Sequence, residues 1–146
     1  MSLSLENLHE MWTNDSKYKD DLDVESLRVA NLHSKYVTHL SEIRSRRRAF
    51  ELERRKTFAK LRDYYSGAAT EDTLREIGRE QYRGPKVLKS EIEEVILLDK
   101  EMISLDSKIE SYREREEYLS DVMRHINIRG YQIKNAIDWR RFTGGS

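Results

Sequence analysis

The chain has 146 residues, 37% hydrophobic and 37% charged, with 27 basic and 27 acidic side chains that balance to zero. Apolar content this thin suits long helices that bury a narrow stripe, often against copies of themselves, better than a lone globular core. The lack of cysteine excludes disulfides and thiolate zinc sites. No apolar run approaches the roughly 20 residues that span a bilayer, and the first residues show no basic-then-apolar secretory pattern.

In chain order, residues 3–12 read as a short amphipathic helix with Leu5, Leu8, Met11 and Trp12 on one side, followed by an acidic, polar linker from Asn14 to Asp23. A long helix is predicted over 23–66, because Leu32, Tyr36, Leu40, Ile43, Phe50 and Leu61 keep a three–four spacing with no Gly or Pro between them. Gly67 is the expected left-handed stop. Residues 67–89 form a connection containing Gly78, Gly84 and the single proline, Pro85, with one helical turn around Thr73–Ile77. Ser90 and Glu93 match a capping box, so a second long helix is predicted over 90–128. Its seam is Val95, Leu98, Met102, Leu105, Ile109, Tyr112, Leu119, Met123 and Ile126, interrupted by Glu116. Such a heptad seam needs a partner helix. Two readings stand: an antiparallel hairpin with the first long helix, and association between subunits. Gly130 is a candidate hinge into a C-terminal segment, 129–146, which crowds apolar groups into few residues and ends in Gly144, Gly145 and Ser146, read as a loose tail. Ile126, Tyr131, Ile133, Ile137, Trp139 and Phe142 are the candidate oligomerisation residues. The fold class is all-α: two long helices in a hairpin or coiled-coil-like arrangement, plus a short C-terminal helical oligomerisation segment, with residues 1–22 as an acidic N-terminal helix and linker.

The neutral total conceals segregated charge. Residues 1–27 carry seven acids and two bases, 44–62 nine bases and two acids, 91–121 eleven acids and four bases, and 122–143 five bases and one acid. Blocks of this kind speak to partners. The basic block is Arg44, Arg46, Arg47, Arg48, Arg54, Arg55, Lys56, Lys60 and Arg62. In a folded-back hairpin it lies opposite roughly 91–111, whose acids would pair with some of it at a fraction of a kcal/mol per surface pair. At about 100° per residue, Arg44, Arg47, Arg48, Arg54, Arg55 and Arg62 share one arc beside the packing face. Arg46, Lys56 and Lys60 lie on the far side, beyond reach of a packed helix. Arginine suits phosphate, and Tyr64 and Tyr65 offer flat surfaces on which an unpaired base could stack. Arg47, Arg48, Arg54, Arg55, Lys56, Lys60, Arg62, Tyr64 and Tyr65 are therefore the candidate single-stranded-DNA-binding residues. No zinc-finger spacing or helix-turn-helix suggests sequence-specific duplex reading.

The segment Arg62-Asp63-Tyr64-Tyr65-Ser66-Gly67, preceded by Lys60, resembles the central signature of the UvsY-type recombination mediators of T-even-like phages. Upstream, Leu32, Ser34, Lys35, Tyr36, Ser41 and Ile43 support the likeness. Downstream, Val87-Leu88, Arg129-Gly130-Tyr131, Ile133-Lys134 and Asp138-Trp139-Arg140 with Phe142 do so, and it covers about residues 28–144. The resemblance implies a homo-hexamer or heptamer held partly by its C-terminal region, in the cytoplasm of an infected bacterial host. It implies binding to single-stranded DNA without sequence preference, and contacts with a RecA-like recombinase and a single-stranded-DNA-binding protein. Lys60 and Arg62 stand for the family's DNA-binding lysine and arginine, although an ungapped match puts Ala59 and Leu61 at those positions.

Catalysis is not expected. His9, His33, His39 and His125 show no i, i+4 pair for zinc. The acid pairs Glu93-Glu94 and Glu116-Glu117 read as a solvated face, and no glycine-rich phosphate loop is present. No cofactor or membrane association is expected. The alternative function is a coiled-coil scaffold that joins other proteins without binding DNA.

Overall fold

The computed structural model describes residues 3–18, 21–144; residues 19 and 20 of the linker and 145 and 146 of the tail lie outside it. The described residues form five helices and no strand: α1 (Leu5–Asp15), α2 (Leu22–Ser66), α3 (Glu71–Ile77), α4 (Ile92–Leu97) and α5 (Lys100–Thr143). The chain divides into two compact units, residues 1–46 with 112–146, and residues 47–111. Each unit contains a part of both long helices.

In the first unit, Ser4 caps α1 by accepting a hydrogen bond from the Asn7 amide at 3.1 Å, and Asp21 caps α2 by accepting one from the Val24 amide at 3.1 Å. Leu8, Leu32, Tyr36, Leu40, Ile43, Leu119, Val122 and Ile126 make the core, with Trp12 and Tyr112 packed against it. Burying each leucine or isoleucine here is worth about 1.5–3 kcal/mol, so α1 belongs to the core through Leu8. The start of the linker is also held. The Asp15 carboxylate accepts from the Lys35 ammonium at 2.5 Å and from the Tyr36 hydroxyl at 3.0 Å, while Arg129 donates to the Ser16 carbonyl and lies over the Tyr18 ring.

Gly130 is no hinge. The α5 helix runs through it to Thr143, and a Cβ at this position would sit 3.6 Å from Val29 Cγ1. The glycine serves close approach of α2, and the helix continues because its neighbours are held on both sides.

In the second unit, Leu61, Ile96 and Met102 form the core, joined by Phe58, Tyr65 and Ile92. The α2 helix ends as expected: Gly67 adopts φ 79°, the Gly67 amide donates to the Tyr64 carbonyl, and the Ala68 amide donates to the Asp63 carbonyl. Alanine at Gly67 is expected to destabilise the protein by about 1–2 kcal/mol through left-handed strain alone, read as a lower urea midpoint with unchanged helicity. The connection holds more helix than one turn, because Thr70 caps α3 and Gly78, at φ 67°, closes it.

The predicted second helix starts differently. Glu91, not Ser90, precedes α4 and makes no side-chain cap. The long helix begins only after a break at Leu98 and Asp99, where Asp99 Oδ1 accepts the Glu101 amide at 2.9 Å. The break turns Leu98 outward, to 70% exposure, and puts Ile96 in the core in place of the predicted Val95. Further along, Val122 is buried more fully than the predicted Met123.

Candidate nucleic-acid interface

The basic block sits on α2, and most of its bases have acidic partners within their own unit. In the first unit, Arg44 Nε meets Glu116 Oε1 at 3.1 Å, and Arg46 meets Glu42 at 3.5 Å. In the second, Arg47 pairs with Glu51 at 3.0 Å, Arg54 with Asp106, and Lys60 with Glu76 at 2.6 Å. The wheel foresaw partners on α5. It did not foresee Glu42, one turn back on the same helix, or Glu76 on α3, so Arg46 and Lys60 are not free.

Arg48, Arg55, Lys56 and Arg62 remain. All four are exposed, and none has an acidic partner among the described residues; Arg62 lies over the Phe58 ring at 5.1 Å. Arg48, Arg55 and Arg62 are spaced by seven. A straight helix drifts only about 20° per heptad, so the three guanidinium groups form one row, about 10 Å apart along the axis. Lys56 stands beside the row. Such a row can bind a polyanion with little loss of internal pairing, since no protein carboxylate has to be displaced.

Tyr64 and Tyr65 are half-buried. They pack edge-on against each other at 4.9 Å and against Tyr82 at 5.4 and 5.2 Å. Beneath them is a feature that the sequence reading missed. The Asp99 carboxylate accepts two hydrogen bonds from Arg79, at 2.6 and 2.7 Å, and one from the Tyr65 hydroxyl at 2.6 Å. Its side chain is 2% exposed. Burial pushes this carboxyl up, but the bonds from Arg79, Tyr65 and the Glu101 amide outweigh it and hold it down at about 2. Burial and the bond to Asp99 push Tyr65 up to about 12. Tyr65 is thus a neutral donor, fixed in place. An aspartate directly after an apolar run and before a helix is a capping signal, and it is the one clue the sequence held.

The candidate oligomerisation residues separate into two sets. Ile126 and Ile133 are buried inside the first unit, at 0% and 2% exposure, and Ile137 is half-buried. Tyr131, Trp139 and Phe142 are 70%, 65% and 80% exposed. They lie on the side of α5 opposite Ile126, with Ile128 among them, a residue that the wheel could have added. Trp139 and Phe142 stack at 5.9 Å.

Among the described residues no cluster of His, Asp and Glu could hold a metal ion, and no helix is long and apolar enough to cross a membrane.

Comparison with known proteins agrees over nearly the whole chain. The model of the family described as "Recombination, repair and ssDNA binding protein UvsY" matches residues 11–146. The recombination protein uvsY of Enterobacteria phage T4 is 27% identical over 124 residues, 85% of this chain and 85% of that one. Crystal structures of the bacteriophage T4 recombination mediator protein UvsY share the fold. One lattice form superposes with a TM-score of 0.83 at 24% identity, covering 97% of this chain and 98% of that one. A second gives 0.81 at 23%, covering 96% and 99%.

Proposed function

The chain belongs to the UvsY family of recombination, repair and single-stranded-DNA-binding proteins, and on that premise we propose that it is a recombination mediator. It binds single-stranded DNA without sequence preference as a homo-oligomer, and it helps a RecA-like recombinase load onto DNA covered by single-stranded-DNA-binding protein. The observation that carries the binding role is the row Arg48, Arg55 and Arg62 with Lys56, four exposed cations that have no acidic partner among the described residues. Cations already paired within the protein would have to exchange one partner for another. These four gain a partner and release counterions from the strand. Tyr64 and Tyr65 serve by shape, holding the end of α2 against α5, and Arg47, Arg54 and Lys60 are secondary contributors.

Copies of the chain would set several such rows side by side, so that weak contacts add through effective concentration. The exposed stripe Ile128, Tyr131, Trp139 and Phe142 is the surface proposed to join subunits. Changing Trp139 and Phe142 together to serine is expected to reduce the mass in solution, measured by light scattering, toward that of a single chain. Helicity should be unchanged, because neither residue belongs to the core. An unaltered mass would remove this face from the assembly.

The binding role is tested by fluorescence anisotropy with a labelled oligo-dT at two salt concentrations. Tight binding at low salt that weakens steeply at high salt supports it, and absence of binding at low salt ends it. Loading is tested by whether the protein shortens the lag of recombinase filament assembly on strands already covered by single-stranded-DNA-binding protein.

A further inference from the structure

One turn beyond Arg62, the end of α2 forms a wall of a groove of about 520 Å³, lined by Tyr65, Tyr82, Val87, Leu88 and Ile92 and by the lysines Lys86 and Lys89. The loop that carries Tyr82 holds it rigidly. The Tyr82 hydroxyl donates to the Pro85 carbonyl at 2.8 Å, and its ring rests edge-on against Tyr64 and Tyr65. Only glycine fits at position 84, where a Cβ would lie 2.5 Å from the Tyr82 oxygen. Gln81 ties the same loop to α2 by donating to the Gly67 carbonyl at 3.3 Å. Leu88 is left 53% exposed on the opposite side. Lys86 and Lys89 are exposed and have no acidic partner among the described residues, and no carboxylate lines the groove.

A fixed aromatic edge, an open apolar surface and two unneutralised ammonium groups make a combination suited to a flat apolar ring that carries anions on both sides. We propose that this groove receives one base of the bound single strand, with Lys86 and Lys89 on the flanking phosphates. It thereby continues the row Arg48, Arg55 and Arg62 past the end of α2. The inference rests on the single-strand-binding role proposed above. Stacking of bases on aromatic side chains tolerates any sequence, so the groove adds affinity without adding preference.

The test uses the full chain. Changing Lys86 and Lys89 together to alanine is expected to weaken binding to oligo-dT about tenfold or more at low salt. It should also make the dependence of log affinity on log salt shallower by about 1.4, the value for two lost contacts to a single strand. Unchanged helicity by circular dichroism guards against misfolding. An oligo-dT carrying a single 5-iodouracil, irradiated in complex with the unaltered protein, should cross-link to Tyr65, Tyr82 or the peptide 86–92. Wild-type-like affinity and salt slope in the double variant, or cross-links confined to residues before Tyr65, overturn the groove while the binding role stands. That pattern leaves a protein partner's apolar side chain as the occupant. Failure of the unaltered protein to bind oligo-dT overturns both proposals.

Discussion

Replacing Asp99 with alanine is expected to lower folding stability by about 3–5 kcal/mol, the range for removing one partner of a buried ion pair. Four groups lose their acceptor at once: both nitrogens of the Arg79 fork, the Tyr65 hydroxyl and the Glu101 amide. Arg79 is then left charged with its side chain only 16% exposed. A urea titration followed by circular dichroism measures the change. Phenylalanine at Tyr65 is the control, because it removes one hydrogen bond and keeps the ring, at a cost of about 1 kcal/mol. Similar midpoints for the two variants would show that Asp99 is no more than a helix cap. The same residue sets a pH window. Its folded value of about 2 lies below the value of about 3.9 expected in the unfolded chain. Its contribution is therefore complete above about pH 4 and is lost as pH falls towards 2. The Asp99→Asn variant should be less stable at neutral pH and lose less than the parent between pH 4 and 2.

The second large effect concerns DNA. Changing Arg48, Arg55, Lys56 and Arg62 together to alanine is expected to weaken binding to oligo-dT by about 100- to 1000-fold at low salt. This takes about 1 kcal/mol for each exposed contact, and 1.4 kcal/mol for each factor of ten. The salt slope should become shallower by about 2.8. None of the four makes an ion pair among the described residues, and alanine favours helix as much as arginine or lysine, so the melting temperature should hold or rise slightly. A contrasting set keeps the row and changes Arg47, Arg54 and Lys60, which already pair with Glu51, Asp106 and Glu76. That set should bind DNA better than the first while costing more stability. Equal losses in both sets would mean that the strand reads total charge and takes no account of the row.

Long-range regularity was readable from residues alone. The three–four spacing from Leu32 to Leu61 placed α2 to within a residue of its observed ends, and Gly67 marked its stop, because positive φ is a local demand that glycine meets by itself. Interruptions were harder to see. The sequence carries both Ser90-x-x-Glu93 and Asp99 as helix starts. Which one caps the long helix depends on Arg79 and Tyr65 arriving from elsewhere, and those are tertiary facts. The same holds for the basic block. Spacing told which bases share an arc, but whether Lys60 is free depends on where α3 puts Glu76. Gly130 misled in the opposite sense: glycine marks either a bend or a close neighbour, and the neighbour, Val29, is a hundred residues away in the chain. Ile126 and Ile133 continue the apolar period into the C-terminal segment, and that period pointed to packing without saying whether inside one chain or between chains.

The uninterrupted course of α5 through Gly130 makes its outer face a matter of phase. Ile133 is anchored in the interior, and Trp139 and Phe142 follow on the same helix, so their direction is set simply by counting residues from that anchor. One residue inserted between Ile133 and Trp139 would swing the aromatic pair through about 100° and point it away from any subunit that had been waiting for it. Seven inserted residues would bring it back to within about 20°, displaced about 10 Å along the axis. Length variation in this stretch is thus expected to be acceptable in whole heptads and disruptive in single steps, however ordinary the inserted residues.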